Sequence, residues 1–235
     1  YQVDDFNYDA STQTYTLKDG IPYHGDKSRI RPGMWKFKNL TGDDNVIDEN
    51  DKTVIGNAQP KFYGGLNNSF TYKGFDLSIF LTFSYGNEVL NATKLVTSKV
   101  GSLNYNALDV MNSSNRWMTI NSDGQKVTDP GELAALNAGK TVAAYHDAQQ
   151  GDNYIHSWAV EDASYLKLSN VTLGYTFPKK LIARVGLKNL RLYATGNNLL
   201  TWTKYSGFDP EVSTMKSGLT PGVDFGAYPL SRSFI

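Results

Sequence analysis

The chain has 235 residues, with 23 Lys and Arg against 23 Asp and Glu, and it contains no Cys. The missing cysteines exclude a disulfide framework, a thiolate metal site and a cysteine nucleophile. A formal charge of zero without a basic block argues against a nucleic-acid partner. The mean hydropathy of −0.42 resembles that of a soluble domain, but membrane β-strands alternate and also average out polar.

The first 61 residues predict a loop region with short strands at Tyr15–Leu17 and Trp35–Phe37, followed by an acidic turn. The chain opens without Met or an apolar leader, so we expect a piece of a longer protein.

The acidic turn spans residues 39–51, NLTGDDNVIDEND. Calcium prefers six to eight oxygen ligands, and alternate positions of a tight Asp/Asn/Gly loop can supply them. The candidate calcium ligands are Asn39, Thr41, Asp43, Asp48 and Asp51. The alternative is a turn in which these side chains bond their own backbone. No cofactor is required by either interpretation, and calcium is the one candidate.

Two long strands are predicted between Phe62 and Tyr85. From Phe75 the residues FDLSIFLTFSY alternate between apolar and polar, with Phe80 as the exception. Eleven residues is the length of a tilted membrane-spanning strand, about 9–11 residues, whereas ordinary strands have about five or six. The dipeptide Lys73-Gly74 predicts a tight hairpin between the two strands.

Further along, residues 86–164 predict a long loop with short helices at 132–137 and 107–117. A strand follows at 170–177, and a bulge is expected near Ser169 because Leu166 and Leu168 have the opposite parity. Another strand is predicted at 190–197, then a loop at about 203–226 and a last strand from Tyr228.

Short and long connections therefore alternate from one end of the strands to the other. Outer-membrane barrels sort their connections in this way, with short periplasmic turns and long external loops. The predicted fold class is all-β, an antiparallel transmembrane β-barrel, with 1–61 as an extracellular loop region and 62–235 as barrel strands with long extracellular loops.

Aromatic residues near the end of one strand are candidate ligand contacts. Trp202, Tyr205 and Phe208 could stack on sugar rings, or they could be girdle and loop-packing residues. Asp209 and Glu211 could be imagined as a glycosidase pair, but Pro210 between them favours a solvated turn. No catalytic constellation is present, so an enzyme is not expected.

Several motifs together resemble the C-terminal barrel of SusC/RagA-type TonB-dependent transporters of Bacteroidetes. They occur in the family's order and are TVIGN (53–57), PKFYGGLNN (60–68), YKGFDL (72–77), LSNVTLGY (168–175), YATGNNL (193–199), KYSGFDPE (204–211) and GAYP (226–229). The resemblance covers most of residues 35–235, with the long loop at 87–157 matched least.

The resemblance implies a large plugged barrel of 22 strands in the bacterial outer membrane, in contact with membrane lipid. It implies import of an oligosaccharide or a peptide, driven by the TonB complex through a missing N-terminal region, with a SusD-like surface lipoprotein as partner. The competing hypothesis is a soluble or surface-exposed β-rich glycan-binding module with a calcium loop, which would need no detergent for extraction.

Overall fold

The computed structural model describes residues 1–42, 44–98, 106–144, 154–214 and 220–235. Strands make up most of the regular secondary structure in these residues, as the all-β prediction requires. In chain order they are β1 (Phe6–Asp9), β2 (Thr14–Leu17), β3 (Tyr23–His24), β4 (Val46–Ile47), β5 (Phe62–Tyr72), β6 (Phe75–Tyr85), β7 (Glu88–Asn91), β8 (Val160–Asp162), β9 (Tyr165–Thr176), β10 (Arg191–Thr203), β11 (Val223–Asp224) and β12 (Ser233–Phe234).

The helices are short and lie in the connections. They are α1 (Ala92–Thr97), α2 (Pro130–Leu136) and α3 (Lys179–Ile182), with 3-10 turns at Val3–Asp5, Lys27–Arg29, Glu49–Asp51, Asp109–Met111, Ser157–Ala159 and Ala183–Val185. Within the described ranges, no helix combines the length and the apolarity needed to cross a membrane.

The chain divides into two compact units. The first unit contains residues 1–54 and 93–156, and the second contains 55–92 and 157–235. Long-range contacts join much of the long connection to the N-terminal region, while the predicted division at residue 61, between an extracellular loop region and barrel strands, stays a prediction. One such contact is the hydrogen bond that the Tyr15 hydroxyl donates to the carbonyl of Thr128 at 2.7 Å.

The first unit is built on two small apolar clusters. One packs Phe6, Leu17, Ile30 and Met34 around Tyr1, and the other packs Val3, Trp117, Val127 and Leu133. The predicted strand at 15–17 is confirmed within β2, which pairs antiparallel with β1.

Other predictions in this unit are confirmed only in part. The helix predicted at 132–137 exists as α2, capped by the Asp129 carboxylate, which accepts from the Glu132 N–H at 3.0 Å. The helix predicted at 107–117 is wrong, because only a 3-10 turn forms at Asp109–Met111. The strand predicted at 35–37 is also wrong, since the rings of Trp35 and Phe37 pack on the imidazole of His156 instead.

The second unit contains a five-stranded antiparallel sheet in the order β12-β10-β9-β6-β5. Both eleven-residue strands and their two-residue hairpin are confirmed at the predicted bounds. Lys73 and Gly74 have φ of 45° and 90°, the positive values that a type I′ turn requires at both central positions.

The bulge expected near Ser169 is confirmed, and it belongs to a wider irregularity. Phe80, Asn170 and Asn197 are partners in one row across β6, β9 and β10, and the next row consists of Leu81, Leu168 and Leu200. From the first row to the second, the chain advances by one residue in β6, by two in β9 and by three in β10. The extra residue in β9 is Ser169, and it explains why Leu166 and Leu168 change parity but stay with the other apolar side chains.

Residues directly opposite each other in an antiparallel sheet share a face, so the register defines two contrasting faces. The apolar face carries Phe62, Leu66, Phe70 and Tyr72 of β5, the odd-numbered residues of β6, Leu166, Leu168, Val171, Leu173 and Tyr175 of β9, and Leu192, Leu200 and Trp202 of β10. The polar face carries Asn67, Ser78, Thr82, Lys167, Asn170, Thr172, Arg191, Thr195 and Asn197. Leu66, Phe70, Leu173 and Leu192 are each more than half exposed, so nothing in the described part of the chain covers the centre of the apolar face.

The last strand is shorter than the sequence predicted. Residues 228–232 form no ladder, and pairing with β10 begins only at Ser233, opposite Asn197. The start at Tyr228 was therefore wrong, because Pro229 lacks a backbone N–H for a ladder at this position.

Candidate functional site

The centre of the polar face is a ladder of uncharged side chains. The Asn170 amide donates to the Asn197 carbonyl oxygen at 2.8 Å, and the Asn197 amide donates to the Ser233 hydroxyl at 3.1 Å. One row away, the hydroxyls of Thr172 and Thr195 are 2.9 Å apart. These bonds join three neighbouring strands into a neutral, hydrogen-bonding surface.

Charged side chains of the polar face stand at its two ends. At the end with the short connections, the Arg191 guanidinium donates to both carboxylate oxygens of Asp76, at 3.1 and 2.5 Å. Such a two-point contact fixes the orientation of both side chains. It also ties the start of β10 to β6 across the intervening β9.

At the end with the long connections, a buried lysine forms ion pairs with two carboxylates. The Lys167 side chain is only 4% exposed. Its ammonium group contacts the Glu211 carboxylate and lies 3.8 Å from the Asp209 carboxylate. The Tyr165 hydroxyl donates to the second Glu211 oxygen at 2.6 Å. Asp209 and Glu211 therefore belong to an ion cluster that holds the segment after β10 against β9.

Sequence reasoning missed Lys167. The available signal was a lysine between two leucines in a strand of membrane-spanning length, where a charged side chain is costly and generally has a partner. Its partners lie 42 and 44 residues away, so the pairing itself could not be found from local spacing.

The segment after β10 is fixed by further contacts. The Tyr205 hydroxyl donates to the buried Asp224 carboxylate at 2.7 Å. The Ser206 N–H and hydroxyl each donate to the Glu161 carboxylate at 2.9 Å. A Cβ on Gly207 would lie 2.4 Å from the Tyr205 ring, so only glycine lets the backbone pass this close. Burial and the Asp224 carboxylate both raise the pKa of the Tyr205 hydroxyl, which therefore stays a proton donor.

The structure separates the three aromatic residues that the sequence proposed as ligand contacts. Tyr205 is 6% exposed and packs on Val89 and Ala163. Trp202 is opposite Leu166 on the apolar face, where the alternative of a girdle residue would also place it. Phe208 is 78% exposed. The three do not form one platform, and sugar stacking by Trp202 or Phe208 stays a prediction.

The acidic turn is organised around one carboxylate. The Asp51 carboxylate accepts from the backbone N–H groups of Leu40 at 2.6 Å, Thr41 at 3.0 Å and Asp48 at 2.8 Å. These hydrogen bonds lower the pKa of Asp51, and the bond from the Asp48 N–H contributes most. The geometry matches the alternative of a turn whose side chains bond their own backbone.

The remaining candidate ligands of this turn are spread over several contacts. The Asn39 amide donates to the carbonyl of Asp44 at 2.6 Å, and Asp43 lies outside the described residues. Among the residues that the structure describes, no group of three His, Asp or Glu side chains could hold a metal ion. Calcium binding stays a prediction, and calorimetry at millimolar calcium checks it: the absence of heat would contradict it.

No protein-family model matches the chain, but individual proteins do. TonB-dependent receptor P3 of Formosa agariphila is 34% identical over 208 residues, which cover 86% of this chain and 18% of the relative. TonB-dependent receptor P39 of the same organism is 31% identical, covering 95% of this chain and 21% of the relative. TonB-dependent receptor SusC of Bacteroides thetaiotaomicron is 28% identical over 81% of this chain and 16% of the relative.

Solved structures agree with these relatives. The RagAB peptide importer in its open-open state has a TM-score of 0.59 and 24% identity, covering 81% of this chain and 18% of that chain. A second structure, of the RagAB peptide transporter, has a TM-score of 0.55 and 26% identity over 75% of this chain and 16% of that chain. The chain belongs to the SusC/RagA-type TonB-dependent receptors.

The resemblance found in the motifs is thereby confirmed. The chain spans about a fifth of the length of the curated relatives that it matches. Within the SusC/RagA-type receptor, the described part contributes a two-faced sheet and a clamped segment after β10. The relatives are receptors and transporters by name, not enzymes.

Proposed function

We propose that this chain forms part of the wall of a 22-stranded outer-membrane barrel that imports a nutrient oligomer, either an oligosaccharide or a peptide. Import would be energised by the TonB complex acting on parts of the receptor outside this chain. A SusD-like surface lipoprotein would be the partner on the side of the long connections. The names of the relatives, a SusC receptor and a RagAB peptide importer, support this proposal.

The observation that carries the proposal is the exposed apolar face. Strands β5 and β6 have eleven residues each, which at about 3.4 Å per residue extend over roughly 37 Å. With a tilt of about 45°, they cover roughly 26 Å along the membrane normal, close to the apolar band of about 25 Å in outer-membrane barrels.

Aromatic residues stand at both ends of this face, as expected for side chains at membrane–water interfaces. At the end with the long connections, the rings of Phe62 and Tyr85 stack with centroids 4.9 Å apart. At the opposite end, the rings of Phe75 and Tyr175 are 4.5 Å apart. The lipid-facing surface is thus bounded on both sides, which supports one membrane crossing per strand.

The uncharged centre of the polar face fits the proposed cargo. Amide and hydroxyl groups can bond the hydroxyls of sugars and the amides of peptides without selecting for net charge. The fixed segment after β10 is close to the end where the long connections would receive the cargo.

Two measurements on the full-length receptor test the proposal. Detergent should be needed to extract it from membranes, and its gel mobility should change on heating, as expected of an outer-membrane barrel. Recovery in aqueous buffer with unchanged mobility would instead support the glycan-binding module. Uptake of labelled oligosaccharides and of labelled peptides, with and without TonB, then identifies the cargo; binding without TonB-dependent uptake of either class would contradict import.

A further inference from the structure

The connection between β9 and β10, residues 177–190, is here called the basic turn. It carries Lys179, Lys180, Arg184 and Lys188 and no acidic residue. All four cationic side chains are exposed, and no ion pair involving them occurs among the described residues. Four exposed cations without local counterions favour an anionic partner.

The basic turn also exposes large apolar side chains. Leu181, Val185 and Leu187 are 56%, 72% and 45% exposed, whereas Ile182 is 3% exposed and anchors the turn to the protein. Helix α3 continues into the 3-10 turn Ala183–Val185, and Gly186 ends it with φ of 73°. Leu181 and Val185 are therefore both exposed on one short helical segment.

Lys180 and Arg184 are exposed on the same segment. Basic and apolar side chains exposed together on a short helical segment are typical of a segment that lies in a membrane interface. The long stems of lysine and arginine let the charged groups reach the headgroup level while the apolar side chains enter the acyl boundary.

The position of the basic turn in the sheet points to the same partner. It connects Thr176 to Arg191, which are direct partners at the end of the sheet that also has the hairpin Lys73-Gly74. Tyr175 on the apolar face is next to the turn, so the exposed apolar side chains continue the surface assigned to lipid.

The two ends of the sheet differ in charge. Lys73 adds a further cation at this end, whereas Arg191 is paired with Asp76. The opposite end is acidic, with Glu161 and Glu211 among its carboxylates. The positive charge is therefore concentrated at one membrane interface and is not a property of the whole surface.

We propose that the basic turn binds the anionic phospholipid headgroups of the bilayer leaflet at the short-connection end of the barrel. The inference rests on the proposed membrane function. The ammonium and guanidinium groups would contact lipid phosphates, and Leu181 with Val185 would enter the acyl boundary.

The test uses the full-length receptor reconstituted in vesicles of phosphatidylcholine with phosphatidylglycerol. The readout is the enrichment of phosphatidylglycerol among the lipids that remain bound on gentle extraction, measured by native mass spectrometry. The variant carries Lys179→Gln, Lys180→Gln, Arg184→Gln and Lys188→Gln. A cation near an anionic surface contributes about fivefold in affinity, so enrichment should fall by at least about fivefold, and 1 M salt should weaken it in the wild type.

A matched control removes the same charge elsewhere. Lys38→Gln, Lys61→Gln, Lys126→Gln and Lys204→Gln neutralise four exposed lysines that lie outside the basic turn. This control should keep the enrichment. Equal loss in both variants would overturn the inference, because it would show an effect of net charge alone.

Insertion of the exposed side chains of Leu181 and Val185 into the bilayer is measured separately. This chain has no Cys, so Val185→Cys offers one attachment point in this region for a spin label. The label should be more accessible to oxygen than to a water-soluble nickel reagent, and the reverse order would contradict insertion.

Failure of this inference can be told apart from failure of the proposed function. If the wild-type receptor does not insert into vesicles or lacks heat-modifiable mobility, the membrane function itself is wrong. If it inserts but retains phosphatidylglycerol no more than phosphatidylcholine, only the lipid-binding role of the basic turn is refuted.

Discussion

Substitution of Ile79 by Arg is the most direct test of the lipid-facing assignment. Ile79 lies on the apolar face, opposite Asn68 of β5 and Val171 of β9. It is four residues from Phe75, or roughly 14 Å along the strand. At a tilt of about 45° that distance corresponds to roughly 10 Å of depth, which puts Ile79 close to the middle of an apolar band of about 25 Å.

The depth sets the expected cost. An arginine on the lipid face costs about 2–4 kcal/mol at the midplane and about 0–1 kcal/mol near an interface. Ile79→Arg should therefore lower the free energy of unfolding by about 2–4 kcal/mol. Leu192→Arg, beside Tyr175 in the row next to the basic turn, should cost about 0–1 kcal/mol. Ser78→Arg on the polar face, next to Asn67, should be similarly mild.

The assay is urea unfolding of the full-length receptor in lipid vesicles, with the folded fraction read from heat-modifiable gel mobility. The three substitutions share one introduced side chain and differ in face and depth. If Ser78→Arg costs as much as Ile79→Arg, the assignment of faces is refuted. If Leu192→Arg costs as much as Ile79→Arg, the face is not bathed by a bilayer, because a protein core has no such dependence on depth.

Three further predictions concern the segment after β10 and the first unit. Lys167→Met should destabilise the receptor by about 3–5 kcal/mol in urea unfolding, since it leaves the buried Asp209 carboxylate, together with Glu211, without a cation; neutralising both carboxylates in the same variant should restore most of the loss, and no rescue would contradict the ion cluster. Gly207→Ala should cost about 1–3 kcal/mol, because its Cβ would overlap the Tyr205 ring, and should speed proteolytic cleavage after β10; unchanged cleavage would argue against the close approach. Burial and then the Lys94 charge lower the pKa of His156 to about 4, below its unfolded value of about 6.5. The neutral imidazole therefore favours the folded state, and its contribution is complete above about pH 6.5 and is lost as the pH falls towards 4. Denaturant unfolding of His156→Gln should show a smaller loss of stability over that range than the wild type, and an identical pH dependence would refute the assignment.

The long strands could be predicted from the sequence because their information is local. Alternation over eleven residues fixes both β6 and its two faces, and Lys73-Gly74 fixes the register of the hairpin with β5. The bulge at Ser169 was also predictable, since one extra residue is what lets a single strand change parity and keep its apolar side chains on one face.

Other features depend on contacts far apart in the chain. Trp35 and Phe37 have the composition of a strand, but their rings pack on His156, which is more than a hundred residues away. The burial of Tyr205 depends in the same way on Asp224, and the pairing of Lys167 depends on Glu211. Of the candidate site, the sequence therefore identified several participating residues, but their arrangement needed the structure.

Ser169 is an extra residue within β9, and the alternation of apolar and polar side chains reverses in residue number at this position. The residues on its two sides alternate in opposite phase because Ser169 has no partner in the ladder with β6. If Ser169 instead took an ordinary ladder position, Lys167 would lie on the apolar face, and Leu166 and Leu168 would lie on the polar face. The bulge therefore determines which face of the sheet carries the charged group that holds the segment after β10.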